Sequence, residues 1–444
     1  MRVCIQDVAS EGYGIAKSVE HPVLFVPFTL EGEEVEVEIV RRKKQIWYGQ
    51  ATHWYKQSPH RVEAACRDFG RCGGCRWQMM NYEEQLRYKR RFVEQALHHI
   101  GRLSVEVPLP IPSPQIWHYR NKAEYAFGTQ AGELTLGFHP RGAFDQVIGI
   151  QTCQIVPQAF EQVRKAVLRQ AQALSLPAYD PRRHKGFLRS LLVRGTEEKL
   201  IAILVLAEDQ PAIAEAILTP ILSFPFVQGI GYIHNPRLND SLQGLEPSTL
   251  AGTLSLSYSV AGMEYLVAPN AFFQVNLGQA EAMVAWIRQR ISSRAKVLYD
   301  IYGGVGLFGL GLAPQIERVV LLEQEKQAVE SARQNFLHNQ HRFPNTIWEI
   351  GEGKAEIVFS EAELAPFSIA VLDPPREGLH PRLRRALRKA PFSEVFYVSC
   401  HPAAQARDLA EIQSEYEIVE VQPFDLFPHT TSVENIVWLR RRED

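Results

Sequence analysis

The chain's six cysteines fall into groups with different chemical promise. Cys66, Cys72 and Cys75 crowd into ten residues as Cys66-x5-Cys72-Gly73-Gly74-Cys75. A C-x2-C turn offers two thiolates to one centre, and glycines between them relieve the strain of a tight turn. Three thiolates need a fourth ligand, for which Cys153 in the run QTCQIV is the best candidate. Zinc and a [4Fe–4S] cluster both fit this spacing. Cys400 stands apart, after an apolar run in VFYVSCHPAAQARDL, as a lone nucleophile at a strand end would. A helix start and nearby cations would favour its thiolate, whereas the bland alternative is a core cysteine. Glu434 lies in the otherwise apolar stretch FDLFPHTTSVENIVWL. A carboxylate there is costly unless paired or used, so it reads as a general base or as half of a buried salt bridge.

Two further runs complete the chemistry. In VLYDIYGGVGLFGL, residues 297–310, a strand ends at Tyr302, and Gly303, Gly304 and Gly306 let backbone approach a ligand at a helix start. Twenty residues after Gly303, Glu323 ends the next strand, where an acid commonly accepts hydrogen bonds from ribose hydroxyls. No G-K-[ST] follows the turn, which favours a nucleoside cofactor over a triphosphate. In SIAVLDPPREGL, residues 368–379, an apolar strand delivers Asp373 to the ligand-binding edge of the sheet. Pro374 and Pro375 stiffen that turn, and Arg376 adds a permanently charged fork suited to carbonyl or phosphate oxygens.

These residues need several elements to bring them together, and 444 residues suffice for two to four domains. Residues 1 to about 55 read as a small all-β unit of short alternating strands, an OB-like barrel of the kind that grips RNA. Residues 82–100 form an amphipathic helix ended by Gly101, and residues 105–265 mix strands and helices in an α+β pattern. Beyond about 275, apolar strands at 296–302, 318–323, 368–373, 394–399 and 416–421 alternate with helices, the mark of a doubly wound, mostly parallel sheet. The balance of 45% hydrophobic and 22% charged residues is that of a globular protein with full cores. No stretch approaches the ~18 apolar residues of a membrane span, and the opening MRVCIQDVASEGYG lacks the plan of a secretory signal. A cytoplasmic protein without a disulfide scaffold is expected. The net charge of −2 leaves a nucleic-acid partner open, because phosphates respond to local clusters such as Arg41-Arg42-Lys43-Lys44.

Taken in order, these motifs resemble the S-adenosylmethionine-dependent RNA uracil-C5 methyltransferases that use a cysteine nucleophile. The resemblance spans nearly the whole chain. It includes the TRAM-type β domain (EGYGIA, LFVPFTLEGEEVEVEI), the cysteine box, FFQVN at 272–276, the glycine turn, VLDPPREGL, SCHPA and FPHTTSVENIV. It implies a TRAM-like OB-fold over residues 1–56, a central α+β domain with an iron–sulfur site over 57–265, and a Rossmann-like methyltransferase domain over 266–444. It further implies a [4Fe–4S] cluster on Cys66, Cys72, Cys75 and Cys153, cofactor contacts at Gln274, Tyr302, Glu323 and Asp373, nucleophile Cys400 and base Glu434. The expected reaction runs through a covalent Cys400–uracil C6 adduct on a flipped-out uridine of large-subunit ribosomal RNA. The same chemistry on transfer RNA, or a catalytically decayed RNA-binding paralogue, are the alternatives, and a monomer is the default. Three departures from the family pattern stand out: His401 in place of the usual Asn after the nucleophile, Gly303 where a cysteine is common, and Lys354 where an acid usually precedes Ala355-Glu356.

Overall fold

The computed structural model describes residues 1–19, 21–354, 367–389 and 392–442. The N-terminal unit is a six-stranded sheet running from Arg2–Cys4 to Ile46–Lys56. Its two longest strands, Glu34–Lys43 and Ile46–Lys56, pair antiparallel. EVEVEIV alternates as a half-buried strand must: Val35 and Val37 face a core shared with Val3, Leu24 and Val26. The basic run Arg41 to Lys44 is fully exposed at the far end of this hairpin.

The central sheet has seven strands in the spatial order Ser248–Gly252, Val227–His234, Leu200–Leu206, Leu188–Gly195, Lys122–Gln130, Glu133–Phe138 and Ile148–Gly149. LIAILVL is buried along its whole length because both faces of the sheet are covered. Leu200, Ala202 and Leu204 face the helices Gln158–Ala173 and Pro211–Leu218, whereas Ile201, Ile203 and Val205 face the C-terminal part of the chain. The hairpin Leu256–Val260/Met263–Val267 lies on that C-terminal side. Tyr265 donates to the carbonyl of Leu307 at 2.9 Å, and the Leu266 amide donates to Asn335 Oδ1 at 2.7 Å. The structural seam therefore runs ahead of Leu256.

The C-terminal sheet orders its strands Ile347–Glu352, Arg318–Glu323, Val297–Ile301, Ser368–Leu372, Glu394–Ser399, Glu434–Arg441 and Tyr416–Phe424. The first five are parallel, and Glu434–Arg441 runs antiparallel to both of its neighbours, Glu394–Ser399 and Tyr416–Phe424. The edge strand Ile347–Glu352 is absent from the expected strands: half exposed, it mixes apolar and acidic residues and lacks the apolar run of a central strand. Helix Tyr82–Gln95 continues as one wide turn over Ala96–Ile100 before Gly101. Its Val93, with Ala96 and Leu97 of that turn, shares a core with Ile301, Leu372 and Tyr397. No helix among the described residues is long and apolar enough to cross a membrane.

Candidate active site

The C-terminal ends of the parallel strands open onto a cleft of about 870 Å³. Gln274, Tyr302, Glu323, Asp373, Cys400 and Glu434 all line it, so the six catalytic and cofactor residues expected from the sequence share one cavity. The turn after Val297–Ile301 is tightly specified. Tyr302, Gly304 and Gly306 all have positive φ (63°, 55° and 92°), a region that only glycine occupies without strain. A side chain at Gly304 would project into empty space, so glycine there keeps the floor of the cleft open. Glu323 is fixed by backbone amides: Gly304 donates to one carboxylate oxygen at 3.1 Å, and Gln324 and Glu325 donate to the other at 2.7 and 2.9 Å.

Cys400 and Glu434 meet through strand register. Glu394–Ser399 and Glu434–Arg441 run antiparallel with Ser399 opposite Asn435, so one step outward Cys400 stands opposite Glu434. The pairing is locked from behind. Gln405 donates to the carbonyls of Tyr397 and Asn435 at 2.8 and 3.2 Å, while Asn435 Nδ2 donates back to Gln405 Oε1 at 2.7 Å. Asp373 arrives on the neighbouring strand, and the Arg376 guanidinium lies within electrostatic reach of the Cys400 sulfur.

Burial sets the proton inventory of this corner. It pushes the Cys400 thiol up to about 11, helped by the charge of Glu434 and opposed by Arg376. It holds Glu434 well above the ordinary carboxylate range, with Asp373 adding to the effect and Arg376 opposing it. Asp373 itself rises to about 7 through burial and the nearby Asp300, which is fully buried. Burial thus favours the thiol form of Cys400 and the protonated form of Glu434, with the Arg376 guanidinium pulling both the other way.

A family model for tRNA (uracil-5-)-methyltransferase matches residues 251–348 and 355–442. A model for the TRAM domain of tRNA (uracil(54)-C(5))-methyltransferase matches residues 1–54. An uncharacterized RNA methyltransferase of Porphyromonas gingivalis is 32% identical over 467 residues, covering 99% of this chain and 100% of that protein. One from Thermotoga maritima is 30% identical, covering 99% and 98%. The chain belongs to the RNA uracil-5-methyltransferase family. The solved tRNA (uracil-54, C5)-methyltransferase of Pyrococcus abyssi, in complex with S-adenosyl-L-homocysteine, superposes with a TM-score of 0.78 at 28% identity, covering 99% of this chain and all of that one. The protein is an S-adenosylmethionine-dependent RNA (uracil-5-)-methyltransferase with an N-terminal TRAM domain.

The cleft of this methyltransferase fits its cofactor. Its turn is open at Gly304 and its Glu323 is rigidly held, as a nucleoside site requires. The departures at His401 and Lys354 have structural readings. His401 Nδ1 accepts from the Ala404 amide at 3.3 Å, capping helix Pro402–Ile412 as an asparagine would. Lys354 is exposed and does not line the cleft, while Ala355 and Glu356 lie outside the described residues. Sequence reasoning missed the contribution of the central domain: Lys122, Glu124 and the 240–244 loop also line the cleft. The only signal was a cation inside an alternating strand, YRNKAEYAFG.

Cys66, Cys72, Cys75 and Cys153 line a second cavity of about 360 Å³ in the methyltransferase. The Gly74 amide donates to Cys72 Sγ at 3.4 Å. A side chain at Gly73 would meet the His139 carbonyl at 2.8 Å, so the turn between the cysteines admits only glycine. Burial raises all four thiols, Cys75 to about 12. Among the described residues no three His, Cys, Asp or Glu side chains gather as a single bound ion would need. Just past the box, the amides of Arg76 and Trp77 donate to the carbonyl of His429 at 2.9 and 3.1 Å. His429 also stacks on Trp117 at 3.7 Å, tying the cysteine segment to the loop that leads into Glu434.

Proposed function

We propose that the cleft methylates C5 of an unpaired uridine by covalent catalysis, with Cys400 as nucleophile and Glu434 as base. The observation that carries this reading is the register pairing of the two, next to Asp373 and Arg376, in the cavity that also holds the glycine turn. Uracil C5 is unreactive until C6 is attacked. The thiol gives its proton to solvent, the thiolate being stabilised by Arg376, and Cys400 adds to C6. The π electrons move onto the C4 carbonyl, and C5 becomes an enolate carbon. S-adenosylmethionine, when bound, supplies an electrophilic methyl group. C5 takes that methyl, and Glu434, having given its own proton to solvent, takes the C5 proton as the C5–C6 double bond reforms and Cys400 leaves as thiolate. A buried carboxylate is a stronger base than an exposed one, which suits it to a carbon acid. Gln274, Tyr302 and Glu323 hold the cofactor, and Asp373 with Arg376 faces the base edge. A stacked base would hide C6, so the uridine enters flipped out.

The four cysteines carry a [4Fe–4S] cluster in this reading. What supports it is that all four thiols line one cavity, a donor set that would hold a cluster or a zinc ion. The cluster would brace the cysteine segment against the loop at His429. The RNA class is read from two features. The end-to-end likeness to a transfer-RNA enzyme supports transfer RNA, and the TRAM-type domain no longer argues for ribosomal RNA, because its matching model belongs to a transfer-RNA enzyme. The cysteine box is what favours the ribosomal alternative.

The test is methyl transfer from labelled cofactor into total RNA from cells lacking the protein. The wild-type chain should make 5-methyluridine, Cys400→Ala none, and Glu434→Gln a protein–RNA adduct stable to denaturation. Fractionation then names the RNA. Full activity of Cys400→Ala would sink the mechanism.

A further inference from the structure

Arg194 is fully buried, yet among the described residues its Nε and Nη1 have no hydrogen-bond partner. Its Nη2 donates to the carbonyl of Ala271, in the wall of the cleft that continues to Gln274. Directly across the sheet, register pairs Arg194 with Lys122. Like charges placed opposite each other on a sheet repel, and a buried cation without a carboxylate is costlier still. Lys122 is half-buried and lines the cleft, and among the described residues no acceptor meets its ammonium group. Glu124, two residues along the same strand, is within electrostatic reach, but its carboxylate accepts from Ser190 at 3.0 Å. Burial, Arg194 and Arg120 together lower Lys122 to about 8 against the opposing pull of Glu124. Nothing in the fold explains why two cations should sit here unpaired.

The cleft supplies a reason. Six acids line it (Glu124, Asp240, Glu323, Glu325, Asp373 and Glu434) against two cations, Lys122 and Arg376. Arg376 stands near Cys400, where its charge favours the thiolate. A polyanion entering this acidic mouth therefore meets two cations among the described residues, Arg376 beside the thiol and Lys122 on the central domain. Lys122 stands on the central-domain wall of the cleft that the turn and Glu323 of the catalytic domain also line. The uracil ring is neutral before attack, so only a formal anion compensates the Lys122–Arg194 pair.

We infer that Lys122, backed by Arg194, is the phosphate anchor of the cleft, binding a phosphodiester of the RNA that brings the target uridine to Cys400. This rests on Cys400 being the reacting thiol of the same cavity. The test measures binding of a transfer-RNA pool and of a large-subunit ribosomal RNA transcript to the full chain across a salt series. Lys122→Gln should weaken the tighter of the two about tenfold and flatten the log–log salt slope by about one, as loss of one phosphate contact does. Lys122→Arg should restore both, and S-adenosylhomocysteine affinity should be unchanged in each variant. An unchanged salt slope in Lys122→Gln overturns the inference. Loss of S-adenosylhomocysteine affinity would place the lysine on the cofactor carboxylate and overturn it too. A fall in kcat with RNA affinity intact would place it on the base, which likewise overturns the phosphate role. If the wild-type chain binds RNA but Cys400→Ala still methylates, the catalytic reading fails while the salt slope still decides the role of Lys122.

Discussion

Cys400 differs from a surface thiol in that burial and its charged neighbours pull it in opposite directions. Burial and Glu434 suppress its thiolate, and Arg376 favours it. In the free enzyme the thiol titrates near 11, so alkylation by iodoacetamide should climb about tenfold per pH unit between about pH 7 and about pH 9, because only the thiolate reacts. Mass spectrometry of the Cys400 peptide would follow it, and a plateau already reached at the lower pH would show a thiolate formed before substrate arrives. Arg376→Met should slow alkylation at every pH in that range, since it removes the cation that stabilises the reactive form. The sign is useful: a substitution that merely loosened the cleft would expose the thiol and speed the reaction. These pressures were only partly legible in the sequence. SCHPA marks a strand end with a cysteine on it, but no spacing rule places Glu434, thirty-four residues further on, directly opposite.

Helix Tyr82–Gln95 looks in sequence like an ordinary amphipathic helix, and its Lys89 like one of four cations on a solvated face. In the fold Lys89 is completely buried and paired with the equally buried Asp425, and its ammonium also donates to the carbonyl of Phe427 at 2.9 Å. Phe427 lines the catalytic cleft, so this helix holds a wall of the active site. Lys89→Met should destabilise the protein by about 3–5 kcal/mol in urea unfolding, because Asp425 is left buried without its partner. Adding Asp425→Leu should recover most of that loss. If the double variant is no more stable than Lys89→Met, the cost lies in packing and the charge argument is wrong. At the neighbouring helix Pro402–Ile412, His401→Ala should cost about 1 kcal/mol through loss of its cap. His401→Asn should retain both stability and methyl transfer, because either side chain can accept from the Ala404 amide.

At the scale of the whole molecule, the three units share their walls. The central sheet buries one face against its own helices and the other against the methyltransferase core, and its strand Lys122–Gln130 touches two cavities. Glu124 lines both the cysteine cavity and the catalytic cleft. With Arg76 and Trp77 bonded to His429, disturbance at the cysteines has a short physical route to the loop before Glu434. Protein purified without oxygen should therefore carry about four irons and four sulfides per chain, and Cys153→Ser should lose most of both. Removing the iron with a chelator should lower the melting temperature of the wild type and leave that of Cys153→Ser nearly unchanged. Equal effects on the two proteins, or a single zinc by elemental analysis, would reject the cluster.

Local patterning was enough to mark the strands and the chemistry at their ends. Alternation in EVEVEIV, unbroken apolarity in LIAILVL and the strand–glycine–helix run at 297–310 each follow from which faces a segment must bury, a property the chain carries residue by residue. Residue types likewise announced a thiol, a carboxylate and a cysteine set before any fold was known. Tertiary structure alone decided which of these meet. An antiparallel register put Cys400 against Glu434, and another put Arg194 against Lys122. A helix from the first quarter of the chain closed on Asp425, more than three hundred residues away. Such pairings depend on how sheets order their strands and which faces they press together, and on the burial that follows. Burial pushes Cys400 and Glu434 towards their protonated forms and Lys89 and Lys122 towards their neutral ones.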